Sequence, residues 1–397
     1  GRTLTVGIWG GNDQETAAIN TLKANFEEMY GCTVELKVYT DYNTQIQADF
    51  IGQTAPDCFY VDGSMFPFYG SLGVMEPLDP AEYELDKFYP NLIEAFTNAD
   101  GEVLCVPKDV STLATYYNID LLEACGYTAG DIPDNYDDYK AFLTDLQAKL
   151  DEVYGKNQIA AMTYNQDLSR NLPILQDGND GLVAEDGTAT LTSDGVVANM
   201  EYILDFVNNG LWKTPSDLGL GWNGEAFGTG KAAFYQNGTW EYATLIGEKF
   251  GMKSEDLAMI PIYCGVEGEE KAGLCCGTEN CWAVNSKASE ADIKATLDFL
   301  YWVVTSEEGT AMMAEQFGPI PFKAAKASSN VFFNDANAYI ADGNYVVTWA
   351  FNYTPNVDAW RAGVVDAMMQ YCAGGSWDNV VDAFVQGWAV QYANANE

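Results

Sequence analysis

Apolar and polar residues alternate through residues 3–8 and again through 33–39, where Val34, Leu36 and Val38 share one face, and a period of two predicts strands. Between them Ala17, Ile19, Leu22 and Phe26 recur at helical spacing over residues 14–29, with Asp13 as the N-cap and Gly31 as the stop. Residues 42–50 read as a helix. Residues 57–61 read as a third strand that ends at Asp62-Gly63. Strands alternating with helices predict parallel βαβ units. Each strand end carries small or polar residues with an aromatic nearby, namely Trp9, then Tyr39 to Tyr42, then Asp62. Open α/β sheets bind ligands at that edge.

The pattern changes at Leu104-Cys-Val-Pro-Lys-Asp-Val-Ser-Thr-Leu-Ala-Thr-Tyr-Tyr-Asn118. Residues 104–106 form a short apolar run, and Pro107 then removes a backbone donor, so that strand must end or lie at an edge. Asp109, Ser111 and Thr112 favour a sharp change of direction. Residues 113–117 resume as an apolar strand. Strand, turn chemistry and strand in this order predict a passage from one lobe into another.

Beyond it, residues 120–125 form a helical turn closed by Gly126, 135–154 a long helix, and 159–164 a strand. Residues 177–187 read as an exposed turn, 194–208 as a helix, and 219–230 as a glycine-rich loop around Trp222. A strand from Lys231 to Tyr235 runs into Asn237-Gly-Thr-Trp240, and residues 257–263 form another. Glycines at 273–277 punctuate a second crossing that leads into Cys281-Trp-Ala-Val-Asn285, and Phe317-Gly-Pro-Ile-Pro321 is a rigid third. Residues 291–305 read as a helix, residues 88–96 as a short one, and the C-terminal part as helical with a loop carrying Trp349, Phe351 and Tyr353. No internal repeat is present.

Charge narrows the chemistry. Fifty-eight acidic against 19 basic residues give a net charge of −39, which excludes nucleic acid as a partner, because phosphate binding needs clustered Lys and Arg. It also argues against strongly anionic ligands. Such a charge keeps a surface-exposed protein soluble. At 397 residues with 48% apolar content the chain is long enough for more than one core. No apolar run reaches the ~18 residues of a membrane span. The chain opens on Gly1-Arg2-Thr3 without a basic, hydrophobic leader, so any export signal is expected to lie outside the sequence.

There is no histidine, which removes Ser-His-Asp and Cys-His nucleophile systems and H-E-x-x-H zinc sites. The nine cysteines are scattered, and Cys275-Cys276 with Cys281 fits no usual zinc spacing, so no metal and no cofactor is expected. Gly219-Leu-Gly221-Trp-Asn-Gly224 matches G-x-G-x-x-G, but no apolar strand precedes it and Trp222 would obstruct a pyrophosphate. Acidic pairs are too numerous to single out a glycosidase pair, whose defining separation is spatial.

The informative signal is aromatic: ten Trp, 24 Tyr and 19 Phe. Trp9, Trp222, Trp240, Trp282 and Trp349 fall at strand ends or in glycine-rich loops, whereas Trp212, Trp302, Trp360 and Trp388 have helical neighbours and are assigned to the core. A sugar ring stacks its apolar face on indole and needs carboxylates and amides for its hydroxyls. Asp41, Asp62, Asp109, Asn165, Glu279 and Asn280 are placed to supply those. A cationic ligand in an aromatic cage would use the same residue types.

Four elements, in order, carry a family likeness. These are Val106-Pro107 through Tyr116-Tyr117-Asn118 with 121–126; Lys231-Ala-Ala-Phe-Tyr-Gln-Asn-Gly-Thr-Trp240; Trp282-Ala-Val-Asn-Ser286 with Phe299-Leu300 and Thr305-Ser306-Glu307; and Gly318-Pro-Ile-Pro321. Over nearly its whole length the chain resembles the extracellular solute-binding proteins, family 1, of ABC-type sugar importers. The resemblance implies an α/β, periplasmic-binding-protein-like fold: two lobes, each on a doubly wound sheet, joined by a three-crossing hinge. One lobe would comprise residues 1–108 plus 279–321 and the other 109–278 plus 322–397.

The resemblance places ligand contacts at Trp9, Asp62, Asp109 and Trp240, and loop placement adds Asp41, Trp222, Glu279, Asn280, Trp349 and Phe351. It implies a non-enzymatic, monomeric binder of an oligosaccharide that serves an ABC-type permease. The protein would sit on the extracellular face of the membrane through a lipid anchor outside this chain. A cationic or other non-sugar solute, or a glycoside-active enzyme, remains as the alternative.

Overall fold

The computed structural model describes residues 1–10, 13–63, 65–88, 93–108, 111–163, 204–261, 274–277, 280–316, 328–344, 346–348 and 357–395. In chain order its strands are β1 (Thr3–Trp9), β2 (Thr33–Tyr39), β3 (Cys58–Asp62), β4 (Val106–Pro107), β5 (Ser111–Asn118) and β6 (Ala160–Thr163). They continue as β7 (Trp212–Lys213), β8 (Ala232–Gly238), β9 (Leu257–Ile260), β10 (Leu274–Gly277), β11 (Asn280–Val284) and β12 (Val346–Thr348). The chain divides into two compact units, Gly1–Ser111 with Gly277–Ser329, and Thr112–Cys276 with Asn330–Glu397.

The first unit is built on a sheet ordered β2-β1-β3-β11-β4. Helices Asp13–Tyr30 and Tyr42–Ile51 return the chain between successive strands, so β1, β2 and β3 run parallel. Strand β11 enters antiparallel between β3 and β4. Pro107, opposite Cys281, therefore sits on an edge strand, where its missing N–H costs no ladder bond. Leu4, Val6 and Ile8 of β1 are buried, as the alternation predicts. Phe26 meets Phe299 edge-on at 5.0 Å on the helix side of the sheet.

The second unit carries a sheet ordered β12-β10-β5-β8-β6-β7, with β9 also paired to β5. Strand β5 is antiparallel to both β8 and β9, and β6 is parallel to β7 and β8. Helix Tyr136–Tyr154 buries Leu143, Leu146 and Leu150 at spacings of three and four, and the Asn135 side chain caps it by accepting from Asp138 N–H at 3.0 Å. Helices Val357–Cys372 and Trp377–Ala395 are locked by Trp360, which packs on Phe384 and Trp388 and donates its indole N–H to the Phe384 carbonyl at 2.8 Å.

Strand β4 belongs to the first sheet and β5 to the second, while β10 belongs to the second and β11 to the first. The chain changes unit at 111/112, 276/277 and 329/330.

Several expectations need correction. The loop expected at 219–230 contains helix Asn223–Gly228. Its glycines make room for rings, since a Cβ on Gly224 would lie 1.9 Å from Trp222 and one on Gly228 would lie 2.6 Å from Phe250. The punctuation at 273–277 is strand β10, paired with β12. Trp282, grouped with the exposed indoles, is core: it is 2% exposed and stacked between Tyr60 and Phe299 at 6.0 and 6.1 Å. Four successive residues of its strand, Cys281 to Val284, are buried, so both faces of β11 are covered. Trp212 is core but on strand β7, stacked on Phe206. Trp302, Trp360 and Trp388 are buried in helices as read. The helix read from Gln14 begins at Asp13 itself. Residues 177–187, residues 194–203 and Phe317-Gly-Pro-Ile-Pro321 lie outside the described residues.

Candidate functional site

Register alone gathers one set of residues. Trp9 lies opposite Tyr39 at the ends of β1 and β2. The pairing of Val6 with Cys58 brings the end of β3 to the same edge. There Asp62 lies opposite Asn280, and the Asn280 carbonyl accepts the Lys108 N–H at 3.0 Å. Trp9, Asp41, Asp62, Asn280 and Lys108 therefore follow one another along the C-terminal edge of the parallel strands, where open α/β sheets bind ligands.

Trp9 is half-buried, and its ring stands edge-on to Tyr42 at 5.1 Å and to Tyr60 at 4.9 Å. Tyr42 is fixed in turn by donating its hydroxyl to the Tyr60 carbonyl at 2.6 Å, and burial pushes that phenol well above its ordinary value. Beneath these rings lies Lys108, only 2% exposed. Its ammonium donates to Glu15 Oε1 at 2.9 Å and lies 5.0 Å from the Tyr60 ring centre and 5.9 Å from that of Trp9. The pairing and the ring faces offset the cost of burying a cation.

Asp41 precedes helix Tyr42–Ile51 but its side chain does not cap it; the carboxylate is exposed. Asp62 is partly exposed, and its charge adds to burial in holding Tyr69 up to about 12. These are polar groups at the edge of an aromatic floor, the combination a polyhydroxylated ring requires.

In the second unit Trp240 is the middle residue of the short helical turn Thr239–Glu241 that follows β8, with its ring on Gly238. The Gly238 carbonyl accepts the Tyr116 hydroxyl at 2.9 Å, which ties that turn to β5. Asn237, one residue earlier, donates to the Tyr235 hydroxyl at 2.7 Å, and its buried Oδ1 has no hydrogen-bond partner among the described residues. Trp222 lies on Gly224, beside Phe250, with the Lys249 ammonium 5.6 Å from its ring centre.

The structure thus aligns Trp9, Asp41, Asp62 and Asn280 along one sheet edge and places Trp222 and Trp240 in the other unit. Asp109, Glu279, Trp349 and Phe351, with Asn165, lie outside the described residues. Sequence reasoning passed over Tyr60, Glu15 and Lys108. The available signal was Lys108 itself, one of 19 basic residues in a chain of charge −39, set directly after the edge proline.

A separate cavity of about 640 Å³ opens between Asp57, before β3, and Asn285 and Lys287, after β11. It lies at the opposite edge of the first sheet. Among the described residues no group of three or more acidic or thiol side chains is placed to hold a metal ion, and no helix is long and apolar enough to cross a membrane.

Comparison with known proteins gives the setting. The family model of the bacterial extracellular solute-binding proteins matches residues 21–340. The arabinooligosaccharide-binding protein of Bacillus subtilis (strain 168) is 25% identical over 280 residues, which span 68% of this chain and 61% of that relative. The match thus reaches about three fifths of that relative's length. The sugar-binding protein MalE from the phytopathogen Xanthomonas citri superposes with a TM-score of 0.78 at 17% identity, covering 99% of this chain and 98% of the other. A chitin oligosaccharide binding protein superposes with a TM-score of 0.68 at 19% identity, covering 98% and 99%.

Proposed function

We propose, from the premise that this chain belongs to the bacterial extracellular solute-binding proteins, that it captures a neutral oligosaccharide and delivers it to an ABC-type permease. The observation that carries the sugar reading is the half-buried Trp9, braced edge-on by Tyr42 and Tyr60 at a sheet edge that also presents Asp62 and Asn280. Indole offers a flat apolar face, and the carboxylate and amide accept from and donate to hydroxyls. The relatives named for arabinooligosaccharide, sugar and chitin oligosaccharide binding support the same substrate class.

In this reading Trp9 and Trp240 are stacking platforms, with Trp222, Trp349 and Phe351 as further apolar surface. Asp41, Asp62, Asp109, Glu279 and Asn280 are the polar partners. The protein binds without chemical turnover, works as a monomer, and is held at the outer membrane face by a lipid anchor outside this sequence. Residues 1–108 with 279–321, and 109–278 with 322–397, are the lobes.

Titration calorimetry against a panel of neutral oligosaccharides tests it. Heat with at least one sugar is expected. Heat with a quaternary amine and with no sugar overturns the reading, and product released on prolonged incubation replaces it with an enzyme.

A further inference from the structure

Aromatic faces that meet around a fixed carboxylate are a site for a cation. The first unit contains such an arrangement: the Trp9 and Tyr60 rings, 4.9 Å apart and inclined at 61°, with Glu15 from the first turn of helix Asp13–Tyr30. It already holds a cation, and that cation belongs to the chain. The Lys108 ammonium lies 5.0 Å from the centre of Tyr60, 5.9 Å from that of Trp9 and 2.9 Å from Glu15 Oε1. Its backbone is pinned by the bond from its N–H to Asn280, so the side chain enters from a fixed point.

We propose that Lys108 is a specificity-determining residue. Its ammonium occupies the cation position of this aromatic cage, closes it to cationic solutes, and leaves Trp9 to serve neutral ones. The physical need is clear from the charge. A surface of net charge −39 concentrates cations around the protein, and an open cage of Trp, Tyr and Glu would take them up in competition with a neutral ligand. A tethered ammonium removes that competition, because a second cation would meet like charge where water is excluded. A neutral residue of the same length would fill the space without supplying that repulsion. The inference rests on the neutral-ligand reading for its biological sense, though its test does not.

The test uses tetramethylammonium chloride and the full chain. Wild-type protein is expected to show no binding heat and no change in tryptophan fluorescence beyond that caused by equal NaCl. Lys108→Ala is expected to bind at least tenfold more tightly than wild type, and Glu15→Gln added to it is expected to reverse most of that gain. Equal binding by wild type and Lys108→Ala overturns the proposal, as does a folded Lys108→Ala with no binding. Should Lys108→Ala prove unstable, the same salt is expected to raise its melting temperature where equal NaCl does not, and absence of that rescue is equally fatal. A gain of cation binding in a protein that takes no sugar would sink the sugar reading and leave the cage intact. Sugar binding by wild type with no cation gain in the variant would do the reverse.

Discussion

Trp240 occupies the space that a side chain at Gly238 would need: an ideal Cβ on Gly238 falls 2.0 Å from Cζ3 of the indole. The glycine backbone itself is ordinary, with φ −109° and ψ 159°, a conformation open to any residue. The demand for glycine here is therefore made by the ring and not by the backbone conformation.

Gly238→Ala follows as a probe of the platform that leaves the indole in the sequence. The methyl group is expected to push the ring off its seat, and binding should weaken at least tenfold, as in Trp240→Ala, corresponding to about 1.4 kcal/mol. Calorimetry with the oligosaccharide that binds wild type measures the loss, and tryptophan fluorescence reports the movement. Unchanged affinity in both variants would remove Trp240 from the site.

Trp282 should behave in the opposite way, as a stability residue. It is stacked between Tyr60 and Phe299, and its indole N–H has no hydrogen-bond partner among the described residues. Trp282→Ala is expected to cost about 3–5 kcal/mol through lost burial and the cavity left behind. Trp282→Phe should cost distinctly less, since no hydrogen bond is forfeited. Urea denaturation of the two variants checks the difference.

Asn118 ends β5 and caps helix Ile119–Ala124, accepting the Leu121 N–H at 3.1 Å. Asn118→Ala is expected to lower stability by about 1 kcal/mol, with Asn118→Asp retaining most of it. Denaturant midpoints at constant slope decide the point.

Asp335 sets a pH dependence. It lies on helix Val331–Ala341; burial raises its carboxyl, opposed in part by the bond it accepts from Met259 N–H at 3.2 Å. A folded-state value above the unfolded one means that the native protein holds the proton longer. The contribution is complete below the ordinary carboxylate range and is lost as pH rises through the raised value. Asp335→Asn keeps an acceptor for Met259 and removes the ionisation. Its melting temperature relative to wild type should therefore improve as pH is raised from about 4, the ordinary carboxylate range, to about 8. A relative melting temperature that does not change with pH would count against the assignment.

Much of the architecture was legible beforehand because it rests on local pattern. The alternation over residues 3–8 and 33–39, the helical spacing of Ala17, Ile19, Leu22 and Phe26, and the edge position of Pro107 all follow from periodicity and backbone chemistry near in sequence. Trp9 and Asp62 were legible as strand ends for the same reason. The helix Asn223–Gly228 was missed because glycine counts against a helix locally, while the Phe250 ring that requires Gly228 is a tertiary neighbour.

The sequence by itself determined a two-sheet α/β chain, its acidity, its want of histidine and its supply of aromatics. Only the tertiary structure decided which aromatics face outward and which are core. Trp9 ends β1 and is half-exposed, whereas Trp282 sits in the middle of β11 with buried residues on either side and is enclosed. It also decided that Lys108 is buried between Trp9 and Tyr60, in reach of Glu15, 93 residues away along the chain. Contacts of that separation are set by packing and strand register, to which local propensity is blind.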